Sequence, residues 1–471
     1  MNASILPYGS VVVLLTLAGV GIAGIRALRA NRVNGSVDYF LGGKTIGWWA
    51  LSGSFFSTAL WAVWCTGVEM GFRSGVWLWA GLGLAMAAGF LIAGFLFVPA
   101  YRQGGALTLP SFIGERAGSP GLGTTLSIAS VALAALVRIP LTILLAGRMM
   151  QLIFGWDPVT AGLLIIVVPG VFAVAGGYSA VFAVQSGAAV AAVAGLVFFG
   201  STGTLDMTLP ASALPGITAA DPLVFAVVFV IVGLWTTGLE QSGFQRVNAA
   251  PSSASSRRAM TAVAGAMAVS GLAVGVGAAS RGTGLPSNDV WTGVATTFVG
   301  TSLLMAAMAS LASHFMSVST LMTIDVFTRV RRAANESVIV LVGRLMSTVI
   351  VVFSILASSV LAFLGESVVL WLVAAYAVIG PPLVVATLMG ITRTGRHARA
   401  MFWGLGAGWA AGISMVLHQG EQMSTLSNVL WTALAGGGVA LVVTGTIMLV
   451  ISSGALVPFA GAEKDARVSK L

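Results

Sequence analysis

Charged residues are scarce in this sequence. Only 8% of its 471 residues are Asp, Glu, Lys or Arg, about a third of the usual fraction in a soluble domain. The hydrophobic set makes up 57% of the chain, and the mean hydropathy is +0.99. These values exclude a soluble globular protein and a disordered chain. They leave a polytopic membrane protein, because each spanning helix needs about 20 apolar residues.

Cysteine and the signatures of soluble enzymes are also missing. Cys65 is the one cysteine of the chain, so no intrachain disulfide can form. The patterns HExxH, GxSxG and CxxC do not occur, and the three histidines are far apart in sequence. We therefore expect neither an enzyme nor a metal site built on histidine.

Long apolar segments dominate what is present. We predict thirteen membrane spans, at about 8–27, 46–72, 74–100, 122–153, 158–175, 178–202, 222–247, 259–280, 290–327, 336–362, 367–391, 399–418 and 427–453. Met1 to Ser10 has no Lys or Arg, which argues against a cleaved signal peptide.

The basic residues are distributed unequally between the two sides of these spans. With the N-terminus outside, 19 of the 23 Lys and Arg residues fall on the inner side, 3 on the outer side, and Arg138 lies within a span. The positive-inside rule thus predicts an outer N-terminus and an inner C-terminus. The net charge of +9 reflects topology, and we do not expect nucleic-acid binding. The inner residues are Arg26, Arg29, Arg32, Lys44, Arg102, Arg116, Arg246, Arg257, Arg258, Arg329, Arg331, Arg332, Arg344, Arg393, Arg396, Arg399, Lys464, Arg467 and Lys470.

Two spans contain small and polar residues that can interrupt a helix. The second span has Ser52-Gly53-Ser54 followed by Ser57-Thr58-Ala59, and the seventh has residues 233–238 with a glycine at each end. The two spans are five apart and therefore cross the membrane in opposite directions. Interruptions at matching places in two halves indicate an inverted-repeat transporter. Close helix packing through the glycines is the alternative.

Seven short motifs are distributed over most of the chain. They are Asp38-Tyr39-Phe40-Leu41-Gly42-Gly43 with Trp48-Trp49, Leu107-Thr108-Leu109-Pro110 with Arg116, Gly176-Gly177-Tyr178, Glu240-Gln241 with Gln245-Arg246, residues 319–327 (STLMTIDVF), Gly343-Arg344 and Gly380-Pro381. In sequence and in order they resemble motifs of the sodium:solute symporter family, whose members carry sugars, proline, pantothenate and sialic acid with sodium.

The resemblance implies a LeuT-like 5+5 inverted-repeat core of ten helices, spans two to eleven. The chain is then a single transmembrane transporter domain over 1–471. We divide it into an extra N-terminal span and loop (1–45), a first repeat (46–202), a second repeat (222–418), and an extra C-terminal span with its tail (427–471).

The resemblance also implies a sodium site between the first and eighth core helices. Its ligands would be the backbone carbonyls of Ser57, Leu60 and Ala306 and the hydroxyl of Ser310. Family members often have two adjacent hydroxyl residues there, whereas this chain has Ala309-Ser310. Some relatives have an aspartate on the fifth core helix that assists a second sodium. Gln185 takes that place, so we predict one coupling ion.

Arg138 lies in an apolar run with no acidic neighbour in sequence. An arginine at mid-membrane is costly and normally faces a cavity or a partner charge. Sialic-acid carriers of the family use an arginine on this helix to hold the substrate carboxylate, which implies an anionic substrate here. Two alternatives remain open: a structural pair with Glu240, or snorkelling to the inner surface.

The remaining candidate pocket residues are aromatic. Sugar carriers of the family have polar side chains on the first core helix where this chain has Ala59, Val63 and Trp64. A pocket with few hydrogen-bonding groups should reject a sugar, so we expect a small organic acid. The substrate-binding candidates are Arg138, Trp61, Trp64, Glu240, Trp235 and Tyr376.

These inferences predict a sodium-coupled symporter in the lipid bilayer of the cell membrane, with the bacterial inner membrane as the expected location. A proton-coupled or exchange carrier that uses Glu240 or His314 is the alternative mechanism. A membrane sensor with the transporter fold is a weaker alternative, because the segment after Ala460 contains no signalling domain. The sequence does not indicate an oligomeric state.

Overall fold

The computed structural model describes residues 6–30, 33–69, 76–202, 234–235, 238–280, 289–364, 367–392, 397–419 and 426–452. Nearly all of these residues are helical, and none of them lies in a β-strand. Helices suit a bilayer because they satisfy their own backbone N–H and C=O groups where water is absent. The expected all-α architecture is confirmed.

The helices are as follows in chain order. The first part contains α1 (Leu6–Ala30), α2 (Ser36–Leu41), α3 (Trp48–Glu69), α4 (Val76–Ile92), α5 (Val98–Tyr101), α6 (Leu109–Arg116), α7 (Pro120–Ala132), α8 (Ile139–Phe154) and α9 (Pro158–Thr202). The second part contains α10 (Gln241–Ala249), α11 (Ser253–Ser280), α12 (Asp289–Thr320), α13 (Thr328–Val330), α14 (Glu336–Leu364), α15 (Ser367–Thr392), α16 (Ala398–Gln419) and α17 (Leu426–Ser452).

The helices agree with the predicted spans. Among the described residues, nine helical segments are long and apolar enough to cross a membrane. Every predicted span except the seventh coincides with one helix, with one half of α9, or, for 74–100, 122–153 and 290–327, with consecutive helical segments that include a π-helix. The first part of the seventh span lies outside the described residues. The orientation relative to the membrane stays a prediction.

Helix α9 turns at Gly177 and thereby accounts for two spans. Its 45 residues would measure about 68 Å as a straight helix, more than twice the thickness of the hydrocarbon core. Gly177 has φ 61° and ψ −149°, and a Cβ there would lie 2.5 Å from the carbonyl oxygen of Tyr39. The predicted turn at Gly176-Gly177 is confirmed, and only glycine fits it.

Tyr39 anchors α2 near this turn through its hydroxyl group. Its buried hydroxyl donates to the carbonyl oxygen of Ala173 at 3.0 Å and lies 3.1 Å from the Ser347 hydroxyl. Burial raises the pKa of Tyr39 to about 12, so the hydroxyl remains a donor at physiological pH. The loop between the first two spans is therefore anchored against both α9 and α14.

The two predicted helix interruptions have different outcomes. In the second span the prediction is wrong, because α3 is a helix from Trp48 to Glu69 without a break. Gly53 instead lets α9 approach, since a Cβ there would lie 3.2 Å from the Cα of Ser186. In the seventh span the chain is non-helical from Gly238 to Glu240 before α10 begins, which confirms an interruption at the end of the predicted segment 233–238. Residues 233, 236 and 237 of that segment lie outside the described residues.

Helix α12 forms the centre of the bundle. It packs against α3, α8, α9 and α14, and 83% of an 18-residue apolar stretch within Val294–Val330 is buried. By contrast, only 17% of such a stretch in α1 and 22% of one in α17 are buried. The peripheral helices thus present apolar side chains outward, as expected for surfaces in contact with lipid.

Candidate functional site

Glu240 lies at the break in the seventh span. Its backbone is extended, with φ −125° and ψ 162°, immediately before α10. One carboxylate oxygen accepts a hydrogen bond from the guanidinium of Arg138, and the other accepts from the hydroxyl of Ser242. The break therefore places a carboxylate between helices, where both of its oxygens find donors.

Arg138 ends the π-helical segment Leu133–Arg138 between α7 and α8. Pro140 follows two residues later, and its ring nitrogen cannot donate to the carbonyl of Leu136, which loosens the helix here. The side chain of Arg138 is 16% exposed and that of Glu240 is 7% exposed. Of the alternatives considered for Arg138, the structure has the pair with Glu240, and the side chain does not snorkel to a surface.

Two of the aromatic candidates stand beside this pair. The Trp235 and Tyr376 rings meet edge to face with centroids 6.1 Å apart, and the Arg138 guanidinium carbon lies 6.0 Å from the Tyr376 ring centre. A cation over an aromatic face is favourable in a desolvated site. Trp61 is buried on α3, but it does not line the cavity described next. The side chain of Trp64 lies outside the described residues.

A cavity adjoins the Arg138–Glu240 pair and extends toward α6. Its free space is about 40 Å³, room for a few water molecules but far below the roughly 300 Å³ or more of a small-molecule site. A solute can enter only if the surrounding helices move apart. The polar side chains that line the cavity are Ser130, Arg138, Glu240, Gln241, Ser242, His314, Ser317 and Thr387.

Two hydrogen-bond donors in the cavity wall have no partner among the described residues. They are the indole Nε1 of Trp235 and the amide Nε2 of Gln241, both fully buried. Buried polar groups normally find a partner, so donors left free in a cavity wall mark positions for a ligand acceptor. The sequence analysis predicted Trp235 as an aromatic lining residue and missed the role of its N–H.

The four sodium-site candidates lie on neighbouring, buried parts of α3 and α12. Ser57 and Leu60 on α3 and Ala306 and Ser310 on α12 are all at most 3% exposed, and the two helices pack together. The Ser310 hydroxyl is 3.5 Å from Nε2 of His314. Because α3 is unbroken, its carbonyls already accept helical hydrogen bonds, and each has one further lone pair to offer a cation.

Arg246 is buried, which the sequence analysis did not predict. It was counted among the basic residues of the inner side, and its side chain is 1% exposed and lies between helices. It donates to the hydroxyl of Thr58 at 2.9 Å and to that of Ser313. Its guanidinium carbon is 5.0 Å from the centre of the Phe55 ring. No sequence signal separates a basic residue at a span end from one that turns inward.

Comparison with solved structures confirms the predicted LeuT-like architecture. A Na+-coupled sialic acid symporter, solved in a substrate-bound outward-open state, aligns with a TM-score of 0.73. The alignment covers 94% of this chain and 97% of that one at 17% identity, a level that establishes the fold alone.

Sequence comparison identifies relatives and a family. Sodium/glucose cotransporter 4 of Mus musculus is 25% identical over 476 residues, which cover 86% of this chain and 68% of the relative. The sodium/mannose cotransporter of Bos taurus is 26% identical over 467 residues, 84% of this chain and 76% of the relative. The sequence profile of the sodium:solute symporter family matches residues 39–277 and 288–408, well over half of the sequence. The chain belongs to the sodium:solute symporter family and is a sodium-coupled membrane transporter rather than an enzyme.

Proposed function

We propose that the protein imports a small organic carboxylate together with sodium and binds it at Arg138. The observation that supports this most is the excess of donors in the cavity wall. Arg138, Trp235 and Gln241 all line the same cavity, and the indole N–H of Trp235 and the amide Nε2 of Gln241 have no partner among the described residues. A ligand that fits three donors is rich in acceptor oxygens, and guanidinium geometry matches a carboxylate.

Glu240 acts as the resting partner of Arg138 in this proposal. Without a substrate, the buried guanidinium needs a counter-charge, and Glu240 supplies it. An incoming carboxylate replaces or shares that interaction, while the Trp235 and Tyr376 rings cover its apolar part. If the substrate also has an amino group, Glu240 is the group in position to accept hydrogen bonds from it. Trp61 and Trp64 are further candidate lining residues when the cavity opens.

Sodium binds in this scheme to the carbonyls of Ser57, Leu60 and Ala306 and the hydroxyl of Ser310. Neutral oxygens are suitable ligands for a hard monovalent cation. The site joins α3 of the first repeat (46–202) to α12 of the second (222–418). Sodium would hold these halves in an outward-open state, and rocking of one half against the other would then expose both solutes to the inside of the cell membrane. We expect that membrane to be a bacterial inner membrane.

Uptake into sealed proteoliposomes tests the proposal. An inward sodium gradient should drive accumulation of at least one small carboxylate, and glucose and mannose should not compete. R138Q should weaken apparent substrate affinity about tenfold to hundredfold, because a charged hydrogen-bonded pair is lost. R138K is the matched control for charge, and it should recover only part of the loss since it lacks the planar fork.

A second variant isolates the neutral donor. W235F keeps the ring and removes only the indole N–H, so it should weaken substrate affinity about threefold to tenfold. Competition by sugars in place of carboxylates would contradict the proposed substrate class. Uptake driven by a proton gradient and indifferent to sodium would favour the alternative carrier mechanism through Glu240 or His314, which borders the cavity.

A further inference from the structure

Arg246 is a full positive charge placed at the interface of α3 and α12. Its hydrogen-bond acceptors come from both helices, Thr58 from α3 and Ser313 from α12. No carboxylate of the described residues lies within 4 Å of its guanidinium. Burying an unpaired charge is expensive, so a group retained in this way affects whatever else binds nearby.

The residues that hold Arg246 are next to the proposed sodium ligands. Thr58 follows Ser57 directly in sequence, and Ser313 is one helical turn after Ser310. The guanidinium bonds directly to these neighbours of the proposed ligands, so its positive charge lies close to the sodium site. Like charges repel each other more strongly in a buried site than in water, and the guanidinium therefore opposes sodium.

Gln185 completes the surroundings of this charge without neutralising it. Its carbonyl oxygen accepts from the Ser54 hydroxyl. Its Nε2 donates to the Ala309 carbonyl oxygen at 2.8 Å and to the Ser313 hydroxyl at 2.6 Å. Gln185 and Arg246 thus share Ser313 as an acceptor. The amide also donates to two oxygens of α12 that could otherwise help to bind a cation.

We propose that Arg246 is a resident cation that sets the sodium affinity of the site between α3 and α12, and that Gln185 keeps its charge uncompensated. The proposal rests on the sodium site proposed above and adds its regulation. The fixed charge makes sodium binding weak, so the ion binds at high external concentration and leaves readily at low internal concentration. Arg246 is a specificity-determining residue that acts through its charge, and Gln185 acts by leaving that charge uncompensated. Neither acts by contact with the substrate.

The glutamine at position 185 provides an isosteric test. Q185E keeps the heavy atoms of the side chain in the same arrangement. It replaces the amide by a carboxylate next to Ser313 and the Ala309 carbonyl, beside Arg246. We expect it to tighten the apparent sodium dissociation constant about tenfold or more. R246Q removes the charge from the opposite side and should tighten sodium binding in the same direction. A residue with a purely structural role would give weaker binding when replaced.

The measurement is a sodium titration of the thermal unfolding temperature in detergent, with potassium chloride replacing sodium chloride at constant ionic strength. Q151E, which adds the same charge at an exposed position, is the control and should match wild type. S310A tests the sodium site itself. If wild type responds to sodium and S310A does not, while neither Q185E nor R246Q tightens binding, the role of Arg246 is disproved and the sodium site stands. No response in any variant would disprove both. If one of the two variants fails to fold, the other decides by the same criterion.

Discussion

At the residue scale, Arg138 and Glu240 depend on each other because neither charge is well solvated. Arg138 was identifiable from sequence, since an arginine within an apolar run is rare and costly. Its partner was only one of several alternatives, because 102 residues separate the two. The side chain of Glu240 points toward Arg138 because the backbone of residues 238–240 is not helical. Hydrophobic periodicity in the sequence does not predict that backbone conformation. Arg246 was missed for a similar reason: its inward direction depends on where α10 begins.

Replacing Glu240 by glutamine should destabilise the protein in the absence of substrate. E240Q leaves the Arg138 guanidinium buried without a counter-charge, a change that typically costs about 3–5 kcal/mol. S242A is the matched control: it removes one hydrogen bond to the same carboxylate and should cost about 1 kcal/mol. Thermal unfolding of the purified variants measures both. An E240Q variant as stable as S242A would show that the pair contributes little to stability.

At the scale of elements, the sequence identified helices well and helix interruptions less well. Long apolar runs determine where helices form, because a bilayer permits few other structures. A Ser-Gly-Ser segment has two physical outcomes, a break or a close helix contact, and the choice depends on the neighbouring helix. Gly53 meets α9 and stays helical, whereas Gly238 packs against Phe97 and leaves the helix.

Gly177→Ala should destabilise the turn within α9 strongly. The turn requires a positive φ that alanine rarely adopts, and the added Cβ would overlap the Tyr39 carbonyl oxygen. We expect a loss of about 3 kcal/mol or more, seen as a lower unfolding temperature. Gly438→Ala on α17 is the control, since a Cβ there meets nothing within 4 Å. In that helix alanine should be neutral or slightly stabilising. Equal effects of the two substitutions would refute the role given to Gly177.

At the scale of the whole molecule, the asymmetry of basic residues is a property that no single helix shows. The family assignment and the fold follow from motifs and span spacing, but the substrate follows from neither. The chain is similar in sequence to relatives named as glucose and mannose cotransporters, and similar in fold to a sialic acid symporter. In the function that we propose, substrate choice resides in a few cavity side chains, and their arrangement required the structure.

The predicted orientation can be tested with single cysteines in a Cys65→Ala background and a maleimide that does not cross membranes. Q151C lies at the exposed end of α8, which the predicted orientation places on the outer side, and should react in intact cells. S337C lies at the exposed start of α14, near the inner residues Arg331 and Arg332, and should react only after permeabilisation. The physical reason is that arginines adjacent to spans resist translocation. Labelling of S337C but not Q151C in intact cells would show that the topology is the reverse of the predicted one. Sodium entering from outside would then meet the surface that we have assigned to the cytoplasm, while the sodium gradient would still set the direction of net transport.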